Sequence, residues 1–420
     1  MQFKKITLSN WRQFSAVDID FHKRMTIITG ANGAGKTTIL RLLSQHFGWQ
    51  SILLATPRKK ESTSGFQYST GVRSLINAPS QQNIVGSIRY KNDETSSIVI
   101  PESGGVQYQA NIINQQGVTG LHINSHRHQQ NYQQVSSIPT NAIGAEQAYG
   151  IYFNEAMQRF QGGYSQFSPT YRMKEAIISM ATFGPGNANV QGNPEVERLF
   201  NEFKKILGQL LPPTIGFVDI SVRIPDVVLT TKSGEFILDA ASGGLSSLID
   251  LAWQIFLFAH NKEDFCVTMD EPENHLHPSM QRSLLSRLTD AFPKAQFIVA
   301  THSPFIVSSV RDSAVYALQY IKSSEDEEPT SDEFTDRKVQ SILLNLDSKA
   351  ATATEILRDV LGVPVTLPEW AELDLSTIAR EISTLGINEG SLNLLRERLA
   401  AAGLSEYFPQ ALHEIIGGAQ

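Results

Sequence analysis

The stretch MTIITGANGAGKTTILRLL, Met25 to Leu43, decides the fold. It opens as a short β-branched strand, turns through a loop running from Gly30 to Thr37, and passes into the apolar spacing of a helix. G-x-x-x-x-G-K-S/T between a strand and a helix is a phosphate-cradling loop. Residue types explain the chemistry. Gly30, Gly33 and Gly35, with Asn32 in the same turn, let backbone amides face phosphate oxygens, and the helix N-terminus adds its partial positive charge. Lys36 is placed to reach the β- and γ-phosphates, Thr37 to ligate Mg²⁺ and Thr38 to bond the α-phosphate. ATP and Mg²⁺ are the expected ligands.

Working outward, FCVTMDEPENHLHP (Phe265 to Pro278) reads as a buried strand ending in two carboxylates. In a chain with a phosphate loop, two acids at one strand end divide a task. Asp270 is expected to hold the Mg²⁺ shell, and Glu271 to orient or deprotonate the attacking water. AQFIVATHSPFIV (Ala295 to Val307) is another apolar strand, ending at Thr301-His302-Ser303. Parallel strand ends converge on a ligand crevice, so His302 is expected to contact the γ-phosphate.

LDAASGGLSSLIDLAW, Leu238 to Trp253, sets two glycines at the start of an apolar helix, where they cost backbone entropy. In order, these motifs resemble those of the ABC-type ATPases: phosphate loop, signature, acidic strand end, histidine switch. In that family the signature helix of one subunit points at the γ-phosphate held by another. The resemblance implies that Ser242 and the amides of Gly243 and Gly244 act in trans, in a head-to-tail homodimer or a higher homo-oligomer. Ala241 stands where leucine is usual, and Leu245 where glutamine or glutamate is usual.

The long interval between Lys36 and Ser242 and the lack of an apolar run long enough to span a membrane argue against a transporter subunit. No sustained heptads support a long coiled-coil repair ATPase. The opening KITLSNWRQFSAVDIDF resembles the first strands of RecF-like and OLD-like proteins, where an Asn-aromatic-Arg segment sits beside the nucleotide; here it is Asn10-Trp11-Arg12. DEPENHLHP is similar to the OLD-like AAA_15/AAA_21 group. The resemblance covers about residues 1 to 320. Residues 338 to 420 offer neither the Toprim carboxylates of OLD nucleases nor an HNH cluster, so the expected enzyme hydrolyses ATP and cuts nothing itself. This pattern resembles the stand-alone ATPase subunits of anti-phage defence systems, such as the PtuA-type subunit of Septu. It implies a separate effector (an HNH or Toprim nuclease, or a toxin) and DNA as a candidate ligand. The alternative is a RecF-like repair ATPase that binds DNA and loads another protein.

Composition agrees with a globular chain: 420 residues, 41% hydrophobic, 18% charged. Its net charge of −7 gives no global pull toward nucleic acid. One cysteine, Cys266, and a start without a signal-like apolar run lead to the expectation of a cytoplasmic protein. The expected fold class is α/β. Residues 1–321 form an ATPase head, with a phosphate-loop core in 1–56 and 262–321 and an inserted strand and helix lobe with the signature in 57–261. An acidic linker spans 322–337 and a small helical domain 338–420. Within the insert, Pro57-Arg58-Lys59-Lys60 is a short basic cluster, Arg127 a candidate phosphate sensor between His126 and His128, and Gln133 or Gln134 the candidate glutamine joining nucleotide to helical lobe. Ser391 is expected to cap a helix bearing Leu392, Leu395 and Leu399, which Gly403 ends.

Overall fold

The computed structural model describes residues 1–59, 65–72, 83–101, 105–125, 131–322, 337–362, 368–383, 385, 386 and 388–417. Lys60, His126, Arg127, His128 and most of the acidic linker lie outside them. The strands Met25–Gly30, Phe265–Asp270 and Ala295–Ala300 are buried at every position. Apolar residues on both faces demand cover on both faces, the condition of a parallel sheet. These strands are indeed parallel neighbours, with Asp270 opposite Ala300 and Ala300 opposite Ile28. Gly120–Ile123 extends the parallel set beyond Phe265–Asp270, and Ala314–Lys322 extends it beyond Met25–Gly30.

Beyond that block the sheet changes character. Arg337–Leu343 pairs antiparallel with Ala314–Lys322 and parallel with Phe14–Asp20. Phe3–Leu8, Ile84–Tyr90, Thr95–Val99 and Asn111–Ile113 then follow as antiparallel neighbours, giving 11 strands in one sheet among the described residues. In Phe14–Asp20, Phe14, Val17 and Ile19 are buried while Asp18 and Asp20 are exposed. That period of two suits a half-covered antiparallel strand.

Two boundaries differ from the sequence expectation. The strand Arg337–Leu343 belongs to the head sheet and not to a helical unit starting at 338; fully buried Val339 anchors it there. The chain divides into compact units Met1–Ile356 and Leu357–Gln420. The inserted lobe is also less separate than expected, because Ile84–Tyr90, Thr95–Val99, Asn111–Ile113 and Gly120–Ile123 are strands of the main sheet.

The insert also carries four helices, Ala145–Phe160, Pro169–Phe183, Pro194–Leu210 and Gly243–Ala259, each packed against two of the others. Pro194–Leu210 buries Val196, Leu199, Phe203, Leu207 and Leu210, a stripe at helical spacing. Phe203 meets Trp253 edge-on at 4.8 Å between ring centroids, joining that helix to Gly243–Ala259. Asn193 caps its start by accepting from the amides of Glu195 and Val196. A meander of Phe217–Arg223, Asp226–Thr231 and Gly234–Ile237 leads into the signature helix.

The second unit is helical, with a core of Ala371, Leu375, Ala379, Ile382, Leu395, Leu399, Ala411 and Ile415. The expected helix is present as Glu389–Ala401, but Asn388 caps it and Ser391 completes a capping box from the third helical position. Gly403 takes a φ of 72° just beyond its end. Among the described residues no helix is long and apolar enough to cross a membrane.

Candidate nucleotide site

At the carboxyl edge of the parallel strands the chain turns on three glycines. Gly30, Gly33 and Gly35 have φ of 141°, 78° and 103°. At Gly35 a Cβ would stand 2.3 Å from Phe14 Cζ, so sheet and loop are closed on a bare backbone. Asn32, Gly33 and Thr37 are exposed and Thr38 is half-buried, leaving the loop face open.

Lys36 starts the helix Lys36–Ser44 and is buried, with 5% of its surface exposed. Its Nζ donates to the carbonyls of Gly30 (2.9 Å) and Ala31 (3.0 Å) and lies 3.4 Å from His302 Nδ1. Burial pulls its ammonium down to about 8, against Glu271, Asp270 and Glu273, whose negative charges favour the protonated form. The ammonium is thus held by weak carbonyl partners beside an open loop, where phosphate oxygens would be stronger acceptors.

Asp270, buried at the end of its strand, accepts from Thr37 Oγ1 at 3.3 Å. Burial raises its pKa, and the Thr37 hydrogen bond and the charges of Arg41 and Lys36 oppose that rise. A hydroxyl and a carboxylate are hard oxygen donors of the kind Mg²⁺ takes, and a cation there would relieve the buried charge. Thr37 and Asp270 therefore fit the expected metal.

Glu271 has a φ of 46°, uncommon for a side chain this long and a source of about 1–3 kcal/mol of strain. Its amide donates to the Ala300 carbonyl at 2.8 Å, and its Oε2 accepts from Asn274 Nδ2 at 3.1 Å. Oε1 lies 3.6 Å from His302 Nε2. Desolvation and Lys36 lower the pKa of His302 while Glu271 raises it. In the tautomer whose Nδ1 accepts from Lys36, Nε2–H faces Glu271.

Two residues escaped assignment from sequence. Glu273 is buried, and its Oε1 accepts from the Thr301 hydroxyl and from the amide of His302 at 3.1 Å, fixing the histidine turn. Burial raises its pKa, and its Oε2 has no hydrogen-bond partner. Gln13 reaches the loop by donating to the Gly33 carbonyl at 3.1 Å. Glu273 stands two residues after Glu271 on an irregular turn, and only the fold directs it at the next strand. Arg12, expected beside the nucleotide, donates to Tyr108 Oη and to the Leu54 carbonyl, each at 3.0 Å.

The signature expectation acquires a local cause. Ser242 caps the 17-residue helix Gly243–Ala259, and Ser242 and Gly243 are exposed. A Cβ on Gly244 would lie 2.9 Å from the His275 carbonyl, so this glycine lets the helix start approach the turn after Glu271 within one chain. Of the two candidate glutamines, Gln133 is engaged in the helical lobe, accepting from the Ser168 amide at 2.8 Å and donating to the Gln166 carbonyl at 2.9 Å.

Against this geometry, comparison with known families is direct. One family model described as an AAA domain (AAA_23) matches residues 5–171, spanning the phosphate loop. Another, described as AAA domain, putative AbiEii toxin, Type IV TA system (AAA_21), matches 227–308, spanning signature, acidic pair and histidine. The two matches, to AAA-domain models that between them span the site, support an ABC-type ATPase. Of the expected AAA_15/AAA_21 kinship, AAA_21 is matched, and the second model matched is AAA_23 and not AAA_15. The ATPase is 21% identical over 384 residues to a Septu protein PtuA of Bacillus thuringiensis, covering 86% of this chain and 85% of that protein. It is 39% identical over 156 residues to the Retron Vc95 probable ATPase of Vibrio cholerae serotype O1 biovar El Tor, covering 34% of this chain and 30% of that protein. Among solved structures it resembles an SMC head domain from Thermotoga maritima, at 14% identity and a TM-score of 0.42 over 82% of this chain and all of that one.

Proposed function

We propose that this ATPase is the nucleotide-gated subunit of an anti-phage defence complex, a homodimer that senses DNA or a foreign protein and controls a separate effector nuclease or toxin. The observation that carries the gating is the exposed Ser242–Gly243 helix start, a set of backbone amide donors open to an anion from outside the chain. In a head-to-tail pair those amides face the phosphates held by the other copy's Lys36 and Thr37. Glu271 acts as general base, His302 reads the γ-phosphate, and Asp270 with Thr37 holds Mg²⁺. Hydrolysis opens the pair, and cleavage of nucleic acid is left to the partner. The defence assignment is supported by the names of the Septu and retron relatives, the first of which aligns over most of both chains.

Native mass spectrometry of tagged Glu271→Gln protein, recovered from its own host with ATP and Mg²⁺, tests this reading. A dimer carrying a nuclease or toxin is the expected result. A bare dimer carrying DNA would establish the repair loader instead, and a monomer with ATP bound would overturn the gated pair.

A further inference from the structure

A lysine far from the phosphate loop is fully buried. Lys174, on the helix Pro169–Phe183, has no exposed surface, and a buried ammonium persists only where acceptors compensate its lost hydration. Its Nζ donates to Asp239 Oδ2 and to the Gln133 carbonyl, both at 2.6 Å, lies 3.7 Å from Asp226 Oδ1, and sits 5.0 Å from the Tyr132 ring centroid.

These partners come from three separate places in the chain. Asp239 lies in the short turn Leu238–Ala240, three residues before Ser242, and its side chain is 3% exposed. Gln133 is tied to the same helix a second time, through the Ser168 amide that its side chain accepts; Ser168 is that helix's cap. One buried cation thus clamps the turn that launches the signature helix to Gln133 and, through Ser168, to the start of the helix Pro169–Phe183.

We propose that Lys174 is a positioning residue that sets Ser242 and the first amides of the signature helix, through Asp239 on one side and Gln133 on the other. This rests on the signature role given to Ser242. It assigns Lys174 no contact with nucleotide. With the clamp released, Lys36 and Thr37 keep their geometry, while the helix start loses its fixed direction.

The test uses the full chain with Lys174→Met combined with Asp239→Leu, which removes the charges of the closest pair together, while Asp226, 19% exposed, keeps its hydrogen bond from Tyr132 Oη. Amide hydrogen exchange is followed by mass spectrometry over residues 238–248 in nucleotide-free protein, alongside ATP affinity and steady-state turnover. Exchange over that segment is expected to rise about tenfold while the sheet strands stay protected. ATP affinity should stay within about twofold and turnover should fall roughly tenfold. Unchanged exchange in a folded variant would overturn the proposal. So would affinity falling in step with turnover, which marks a general structural role. Asp239→Asn, nearly isosteric and still able to accept from Nζ, keeps the question answerable if the double variant does not fold; it should shift exchange several-fold in the same direction, and no shift counts against the clamp. Exchange is read without ATP, so it judges the clamp even if the wild type never pairs, a result that would sink the gated dimer alone.

Discussion

Raising the pH from 7 to 9 should weaken ATP binding through one group, Lys36. Its pKa is pulled to about 8 by burial, so near neutrality the ammonium is largely protonated and at pH 9 only about a tenth of it is. Phosphate oxygens favour the charged form, so binding raises this pKa and takes up a proton wherever the free protein has lost one. The sign follows: affinity is full below the free pKa and falls as pH rises through and beyond it. From pH 7 to 9 the loss is roughly tenfold, about 1.4 kcal/mol. The same depressed pKa makes folding stability rise with pH between about 8 and the ordinary lysine value of 10.5, because the unfolded chain binds more protons there. Titration calorimetry at pH 8.5 in two buffers of different ionisation enthalpy counts the protons directly. Uptake of about three-quarters of a proton per ATP is expected. No uptake together with equal affinity at pH 7.5 and 9 would refute the reasoning, since Lys36 would then remain charged despite its burial.

Two substitutions probe the rest of the site. Gly35→Ala forces a Cβ to within 2.3 Å of Phe14 Cζ at a φ of 103°, and should cost about 2 kcal/mol or more of stability and weaken ATP binding at least tenfold, read by thermal melts and a nucleotide titration; a native-like melt with unchanged affinity would contradict the close approach. Ser242→Arg places a long cation on the exposed helix start and should leave ATP binding within about twofold while cutting turnover by roughly a hundredfold; equal turnover would remove Ser242 from the hydrolytic site.

Sequence alone made the parallel core legible because three fully buried strands are largely apolar without alternation, a pattern that survives without any knowledge of partners. The same holds for the phosphate loop, where spacing between local elements is itself the signal: Lys36, Thr37, Asp270, Glu271 and His302 were all nameable and lie together. What the tertiary structure decided rests on contacts between residues distant in the chain. Arg337–Leu343 reads as the end of a linker and the start of a helical domain until it is seen to pair with both Phe14–Asp20 and Ala314–Lys322. Glu273 lies inside the DEPENHLHP motif with no role legible from it, and Lys174 lies in no motif. The first is directed by a turn onto the neighbouring strand, and the second is a charge hidden among groups from three segments, so burial, which no local pattern encodes, defines what each does.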